Sequence, residues 1–417
     1  MATRFDGDYP FGVMTSAYPY LDLTSVLQEV ASIGGGGLVQ EVELCALDPE
    51  GDRMKDPNDH VAAHVNTKAF NENPLKEAKR FAEMVNDLSL GVTFGNYDFI
   101  HTHDPGADEK VLDFTMQLID YAAALGGKNG GAFGVNVGMF FGFDRFSGLQ
   151  QNLDAVTRKL TVLGKYASER GVILGSENCH MPGGRPLPFD MYLLPTANRS
   201  LGSTLAARTI LQKRLAKFGL AEVLQFTWDA SHPETQHNDP IPEAELTFAE
   251  EVNYQFHVKG HKTDIPDEAI RRAWFAGPAL PGWYADKESK LYEEATAAGI
   301  PIADNAWGQQ YGRVTLPGDG YCVTPFPQII AITRKNGFSG RITAENETPK
   351  KGDLVGKQDT AGLSQMYADC HAVLKPHIWN GDSYQGKPFK ALDVGRDGVF
   401  KKRMTFRQAA DHYGITA

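Results

Sequence analysis

The sequence predicts an α/β chain closed into a (β/α)8 barrel, the TIM-barrel architecture. Three observations predict it. Short apolar runs alternate with amphipathic segments along most of the 417 residues, the signature of repeated βα units. Eight such units occur, the number that closes a barrel rather than leaving an open doubly wound sheet. No dinucleotide-type GxGxxG follows the first strand; "GGGG" at 34–37 precedes the second strand and reads as a helix-to-strand turn.

The elements follow in chain order. "FGVMT" (11–15) is the first strand, and "DLTSVLQEVASIG" (22–34) is a helix with Asp22 as N-cap and Gly34 as its stop. "LVQEVEL" (38–44) is the second strand. In "PLKEAKRFAEMVNDLS" (74–89), Leu75, Ala78, Phe81, Ala82 and Val85 recur at helical spacing. "GVTFGN" (91–96), a helix across 108–125 and "GGAFGVNVG" (130–138) come next. A helix at 151–169 leads to "VILGSE" (172–177), and one near 202–219 leads to "VLQFTWD" (223–229). A shorter helix near 242–252 precedes "YQFHV" (254–258). The last unit has a helix around 325–336, the strand "GRITAE" (340–345) and a closing helix at 359–375.

Residues 1–380 thus read as one barrel. Two stretches are too long for plain loops: 178–200, rich in Pro, Gly and Asn, and 263–317, with "AWFAGPALPGWYAD" and "NAWGQQYG". In a barrel both lie past the C-terminal end of a strand, on the face where active sites are built. They are read as lids or substrate walls. Residues 381–417 form an extension expected to pack on the barrel or on a neighbouring subunit.

Composition narrows the function. Fifty-two acidic side chains against 41 Lys and Arg leave a net charge of −11, which argues against a nucleic-acid partner. No run approaches the ~20 apolar residues of a membrane span. The opening "MATRFDGDYPFG" lacks a basic region followed by an apolar one, so no secretory signal is expected. Cys45, Cys179, Cys322 and Cys370 are scattered without a CxxC pair, which fits neither a disulfide scaffold nor a thiolate zinc site. The cytoplasm is the expected compartment.

The chemistry gathers at the ends of the later strands. The fifth ends in Glu177, the sixth in Asp229, the seventh presents His257 near its end, and the eighth ends in Glu345. In a parallel barrel these ends converge on one rim. A single acidic residue at a strand end is usually a cap or a loop ion pair, and a single His there is usually structural; four on consecutive strands suggest a site. Three adjacent carboxylates would raise one another's pKa values unless a cation neutralised them. One imidazole with three oxygens suits a divalent ion: Mn²⁺ fits best, with Mg²⁺, Co²⁺, Fe²⁺ or Zn²⁺ as alternatives. Such a site leaves open positions for a substrate's vicinal oxygens. His180 and His261 are weaker candidates for substrate contact. His101 and His103 after the third strand, and Glu41 and Glu43 on the second, are weaker again. Asn136 would enter the rim from the fourth.

These residues bring the chain close to a known family. It resembles the xylose isomerase-like TIM-barrel superfamily, the sugar phosphate isomerase/epimerase group. "WDASH" is similar to its D-x-x-H motif, through Asp229 and His232, and "FHVKGHK" to its H-[VL]-K-D segment, through His257 and Lys259. Gly260 replaces the usual Asp. "LPGDG…PFPQIIAITRKNGFSGRITAENE" (316–347) resembles the run that leads to the last metal-binding Glu, here Glu345, and Glu177 falls where the first is expected. The resemblance spans roughly residues 10 to 380.

The resemblance implies proton abstraction next to a carbonyl through a metal-stabilised enediolate. Glu177 and Glu345 would bind the ion and exchange protons on opposite faces of a sugar, as in ketose 3-epimerases. Asp229 and His257 would complete the metal shell, and His232 and Lys259 would hold substrate oxygens. A sugar isomerase or epimerase is the first expectation. A lyase or dehydratase on keto-sugars or keto-glycosides, of the inosose dehydratase or C-glycoside deglycosidase kind, is the alternative. The aromatic 263–317 insertion weighs toward it. A non-catalytic sugar-binding barrel ranks third, because all four ligands are present. The family and the tail also point to a homo-oligomer, a dimer or tetramer.

Overall fold

The computed structural model describes residues 4–18, 21–46, 64–96, 105–125, 132–136, 149–178, 205–235, 240–250, 253–262, 313–318, 322, 324–346, 360–387 and 403–416. Eight parallel strands close into a barrel. In chain order they are β1 (Phe11–Met14), β2 (Glu41–Ala46), β3 (Gly91–Asn96), β4 (Ala132–Asn136), β5 (Ile173–Glu177), β6 (Leu224–Asp229), β7 (Asn253–Val258) and, after two short strands described below, β10 (Arg341–Ala344). Each pairs with its sequence neighbour, and β10 closes the ring by pairing Phe11 with Ile342 and Val13 with Ala344.

The helices between them are α1 (Leu23–Ser32), α2 (Thr67–Glu72), α3 (Pro74–Asp87), α4 (Pro105–Ala124), α5 (Leu149–Arg170), α6 (Leu205–Ala216), α7 (Ser231–Thr235), α8 (Pro240–Glu250), α9 (Phe326–Lys335) and α10 (Thr360–Ile378). Asp22 caps α1 as expected, accepting the Ser25 amide at 2.7 Å. The glycines at 34–37 all take positive φ, a turn that side chains with a Cβ would strain. The second strand starts later than the predicted 38–44. The backbone of Gln40 already bonds Phe11 and Gly91, its side-chain amide folds back onto the carbonyls of Gly37 and Leu38, and the strand proper runs from Glu41.

Side-chain alternation splits the strands into two faces. Outward residues such as Val42, Leu44, Phe94, Leu174, Phe226, Trp228, Phe256 and Ile342 are buried under the helices and form the main core. The inward face is polar for much of its depth. Glu41, Glu43, Thr93, Gln255, His257, Arg341 and Thr343 are all buried in the barrel. Arg341 reaches Glu41 at 2.8 Å and Thr93 donates to it at 2.6 Å. Gly12, between β2 and β10, leaves the room for this: a Cβ there would stand 2.8 Å from Thr343 Oγ1.

Below the barrel, Trp379 donates to the Tyr9 carbonyl, and Asp8 accepts the amides of Asn380 and Gln385. The final helix α11 (Phe406–Tyr413) lies against α4 and α5. Asp113 accepts the Phe406 amide at 2.6 Å, and buried Asp120 gathers Tyr166, Arg170 and Arg403. No described helix is long and apolar enough to cross a membrane.

Candidate metal centre

The four strand ends meet. Glu177 closes β5, Asp229 closes β6, His257 is the penultimate residue of β7, and Glu345 follows β10. All four are at most 1% exposed, and each offers one ligand atom within 4.8 Å of the others. The register explains it: Glu177 pairs with Thr227 and Asp229 with His257, so successive inward positions step round one rim.

Every one of the four has one polar atom tied down and one left over. Glu177 Oε1 faces His232 Nε2 at 2.7 Å. Asp229 Oδ1 accepts the Ser231 amide at 2.7 Å. Glu345 Oε1 lies 3.1 Å from Lys259 Nζ, and His257 Nε2 lies 2.8 Å from Glu43 Oε2. The remaining atoms, Glu177 Oε2, Asp229 Oδ2, His257 Nδ1 and Glu345 Oε2, are buried and complete no hydrogen bond of acceptable geometry. They make only ion-pair approaches: His257 Nδ1 to Glu345 Oε2 at 3.0 Å and Glu177 Oε2 at 3.5 Å, and Lys259 Nζ and His232 Nε2 to Asp229 Oδ2 at 2.9 and 3.2 Å. Three oxygens and one nitrogen turned toward one another in a dry site are a donor set that fits a divalent ion.

The electrostatics show the same tension. Burial opposes ionisation of Glu177, but His257 and His232 outweigh it and hold its carboxyl well below the usual range. Burial raises Glu345, with Lys259 opposing and Glu177 adding to the rise. Burial disfavours a charged His257, yet Glu43 and Glu177 overcome this and raise it well above an ordinary imidazole. His232 is raised as well, against burial, chiefly by Asp229. The carboxylates are offset by the two imidazoles and Lys259, a neutralising role that a bound dication would share.

His232 and Lys259 therefore stand inside the cluster. Asn178, not singled out from the sequence, clamps the backbone of Asp229: its Oδ1 accepts the Asp229 amide at 2.7 Å and its Nδ2 donates to the carbonyl at 3.0 Å. Glu43, a minor candidate, turns out to touch His257 directly. The signal was present in "EVEL", where Glu41 and Glu43 share the same face of a buried strand. Thr93 and Arg341 occupy Glu41, which lies deeper in the barrel. His101, His103 and His180 lie outside the described residues, as do the side chains of His261 and Asn136. The backbone of His261 is described: β8 (Gly260–Lys262) pairs antiparallel with β9 (Arg313–Thr315), so the two ends of the long insertion join beside Lys259.

A closed eight-stranded barrel with a buried cluster on its C-terminal rim that could hold a divalent ion is the class that fold and site define. The model of the xylose isomerase-like TIM barrel family matches residues 58–365, and the chain belongs to that family. Among solved structures it is similar to a D-psicose 3-epimerase determined in the presence of D-fructose, with TM-score 0.54 and 13% identity over 89% of this chain and 100% of that one. A D-allulose 3-epimerase from Methylomonas sp. in complex with D-allulose gives 0.51 and 10% over 90% and 100%. A D-tagatose 3-epimerase-like protein gives 0.51 and 15% over 88% and 97%. At these identities the likeness is one of fold. No curated protein sequence matches the chain.

Proposed function

We propose that the protein is a divalent-metal-dependent sugar isomerase or epimerase that abstracts a proton next to a carbonyl and proceeds through an enediolate. One observation carries the reading: one ligand atom from each of four buried side chains lies within 4.8 Å of the other three, while each residue's second polar atom is held by another partner. Glu177, Asp229, His257 and Glu345 would hold the ion, with Mn²⁺ as the first choice. A bound divalent ion supplies a Lewis acid that polarises the carbonyl and makes the neighbouring C–H more acidic.

The chain's own groups do the rest. Glu177 and Glu345 stand on β5 and just past β10, with β6 and β7 between them, so a sugar between them meets a carboxylate on each side. One removes the proton, and the other returns one to the opposite face. Lys259 Nζ and His232 Nε2 bind substrate oxygens, and Lys259 offsets the negative charge of the enediolate. Burial of all six side chains excludes water from the intermediate. We take 1–380 as one barrel with its insertions and 381–417 as an extension, in a cytoplasmic homo-oligomer. His101, His180 and His261 remain candidates for substrate contact.

A second reading shares the first half of this chemistry. If a leaving group sits β to the carbonyl, the same enediolate expels it, and the protein is a lyase or dehydratase. The β8–β9 ribbon supports it, because it sets both ends of the aromatic insertion beside Lys259, as a substrate larger than a free ketose would require. One experiment tests both. The protein is incubated in D2O with Mn²⁺ and a panel of ketoses, inososes and 3-keto-glycosides. Deuterium on the carbon beside the carbonyl is expected, and the product separates epimerisation from elimination. Unlabelled, unchanged substrate across the panel counts against proton abstraction.

A further inference from the structure

We propose that Glu43 is a positioning residue: reaching across the barrel lumen, it holds His257 in the tautomer that presents Nδ1 to the ion. The inference rests on reading the centre as a metal site and extends that site to the far side of the barrel.

Topology makes the contact informative. β2 and β7 are not neighbours, since β1 and β10 stand between them. The 2.8 Å approach of Glu43 Oε2 to His257 Nε2 therefore crosses the interior rather than following a ladder. Glu43 is itself 1% exposed, and its Oε2 also accepts from Gln255 Nε2 at 2.5 Å. Gln255 bonds Thr343 Oγ1 at 2.9 Å, which fixes the amide that in turn fixes the carboxylate.

Hydrogen-bond chemistry then decides the tautomer. An ionised carboxylate can only accept, so Nε2 must carry a proton to meet it. In a neutral imidazole this leaves Nδ1 as the lone-pair nitrogen, and Nδ1 is the atom turned toward Glu345 and Glu177. Without Glu43 the preference reverses: a proton on Nδ1 would find Glu345 Oε2 at 3.0 Å, and the lone pair would point away from the ligand cluster. A purely structural Glu43 would need only to satisfy Gln255, and its loss would leave the ring unaffected.

The test uses the full chain with Glu43→Leu and Glu43→Gln. Mn²⁺ affinity is measured by competition with a chelating dye, and ¹⁵N-histidine-labelled protein loaded with Zn²⁺ is examined for a slowly exchanging imidazole N–H. The unsubstituted chain is expected to show that N–H on Nε2 of His257. Glu43→Leu should lose it and bind Mn²⁺ about ten- to a hundredfold more weakly, the usual cost of removing the partner of a metal-bound histidine. Glu43→Gln keeps an acceptor oxygen, so it should retain the N–H and lose less, though more than about threefold. Folded Glu43→Leu with affinity within about threefold of the unsubstituted chain and the N–H intact overturns the inference. Should Glu43→Leu fail to fold, Glu43→Gln decides, and unchanged affinity overturns it. If the unsubstituted chain binds no divalent ion, the metal reading falls and this inference with it; if it binds the ion and the variants bind it equally well, this inference falls and the metal reading stands.

Discussion

Glu345 is the residue on which the proposed chemistry depends most. Its Oε1 meets Lys259 and its Oε2 faces His257, so replacing it with Gln keeps the shape while removing a base and a charge. Turnover of Glu345→Gln with a responsive keto-sugar should fall by about 10²–10⁴-fold, the range for loss of a general acid–base group. Unchanged turnover would place the chemistry elsewhere. A second residue-level prediction concerns stability. His64 is buried after β2, its Nδ1 within 2.8 Å of Thr15 Oγ1, and burial pulls its pKa down from 6.5 to about 4. The folded value lies below the unfolded one, so the folded chain binds fewer protons. The neutral ring's contribution is complete above about pH 6.5 and is lost as pH falls toward 4, by up to about 3 kcal/mol. His371, also lowered to about 4 by burial, steepens the same window. Urea unfolding between pH 7 and 4.5 should show the decline, and His64→Gln should flatten it. Among single residues, the buried quartet that could hold an ion was legible because acidic or imidazole groups closed four successive apolar runs. Glu43 was legible only as a weaker candidate, and its contact with His257 was not, because that partner lies far along the chain on a strand that β2 does not touch.

At the scale of elements, the strand β7 runs into β8 through Lys259 and Gly260, and Gly260 is the departure from the family's H-[VL]-K-D pattern. The structure supplies its reason. A Cβ at 260 would stand 2.7 Å from Cys322 Sγ, 2.8 Å from Thr324 Oγ1 and 3.2 Å from the Phe326 ring. Restoring the family residue with Gly260→Asp should therefore destabilise the chain by about 1–3 kcal/mol, the cost of overpacking. A lower urea midpoint at constant slope would show it; an equal or higher midpoint would contradict the crowding. Strand positions were readable from apolar runs and helices from period and caps. Element ends were less so. β2 starts at Glu41 rather than 38, after the glycine turn at 34–37, and α10 continues through Pro376 to Ile378, past the expected end at 375. The pairing of β8 with β9 was hidden, because "GHK" and "RVT" are too short to show a period and lie on either side of the insertion.

For the whole molecule, metal and fold should be linked. The ligands come from β5, β6, β7 and the end of β10, half of the barrel's strands, so an ion that binds them binds only the folded state. Mn²⁺ at about a hundred times its Kd should add about 2.7 kcal/mol, and a chelator should remove it. A melting temperature indifferent to both would argue against an ion held by all four strand ends. The sequence by itself determined the barrel and the quartet, since alternation, apolar runs and strand-terminal charges are local patterns that a linear reading can detect. Only the tertiary structure decided which atoms of the quartet are left facing one another. It alone brought Glu43 and Gln255 to His257, Arg341 to Glu41, and Cys322 against Gly260. The reason is physical: closing a barrel makes neighbours of side chains across a shared lumen, and that distance is set by strand order, register and tilt rather than by separation along the chain.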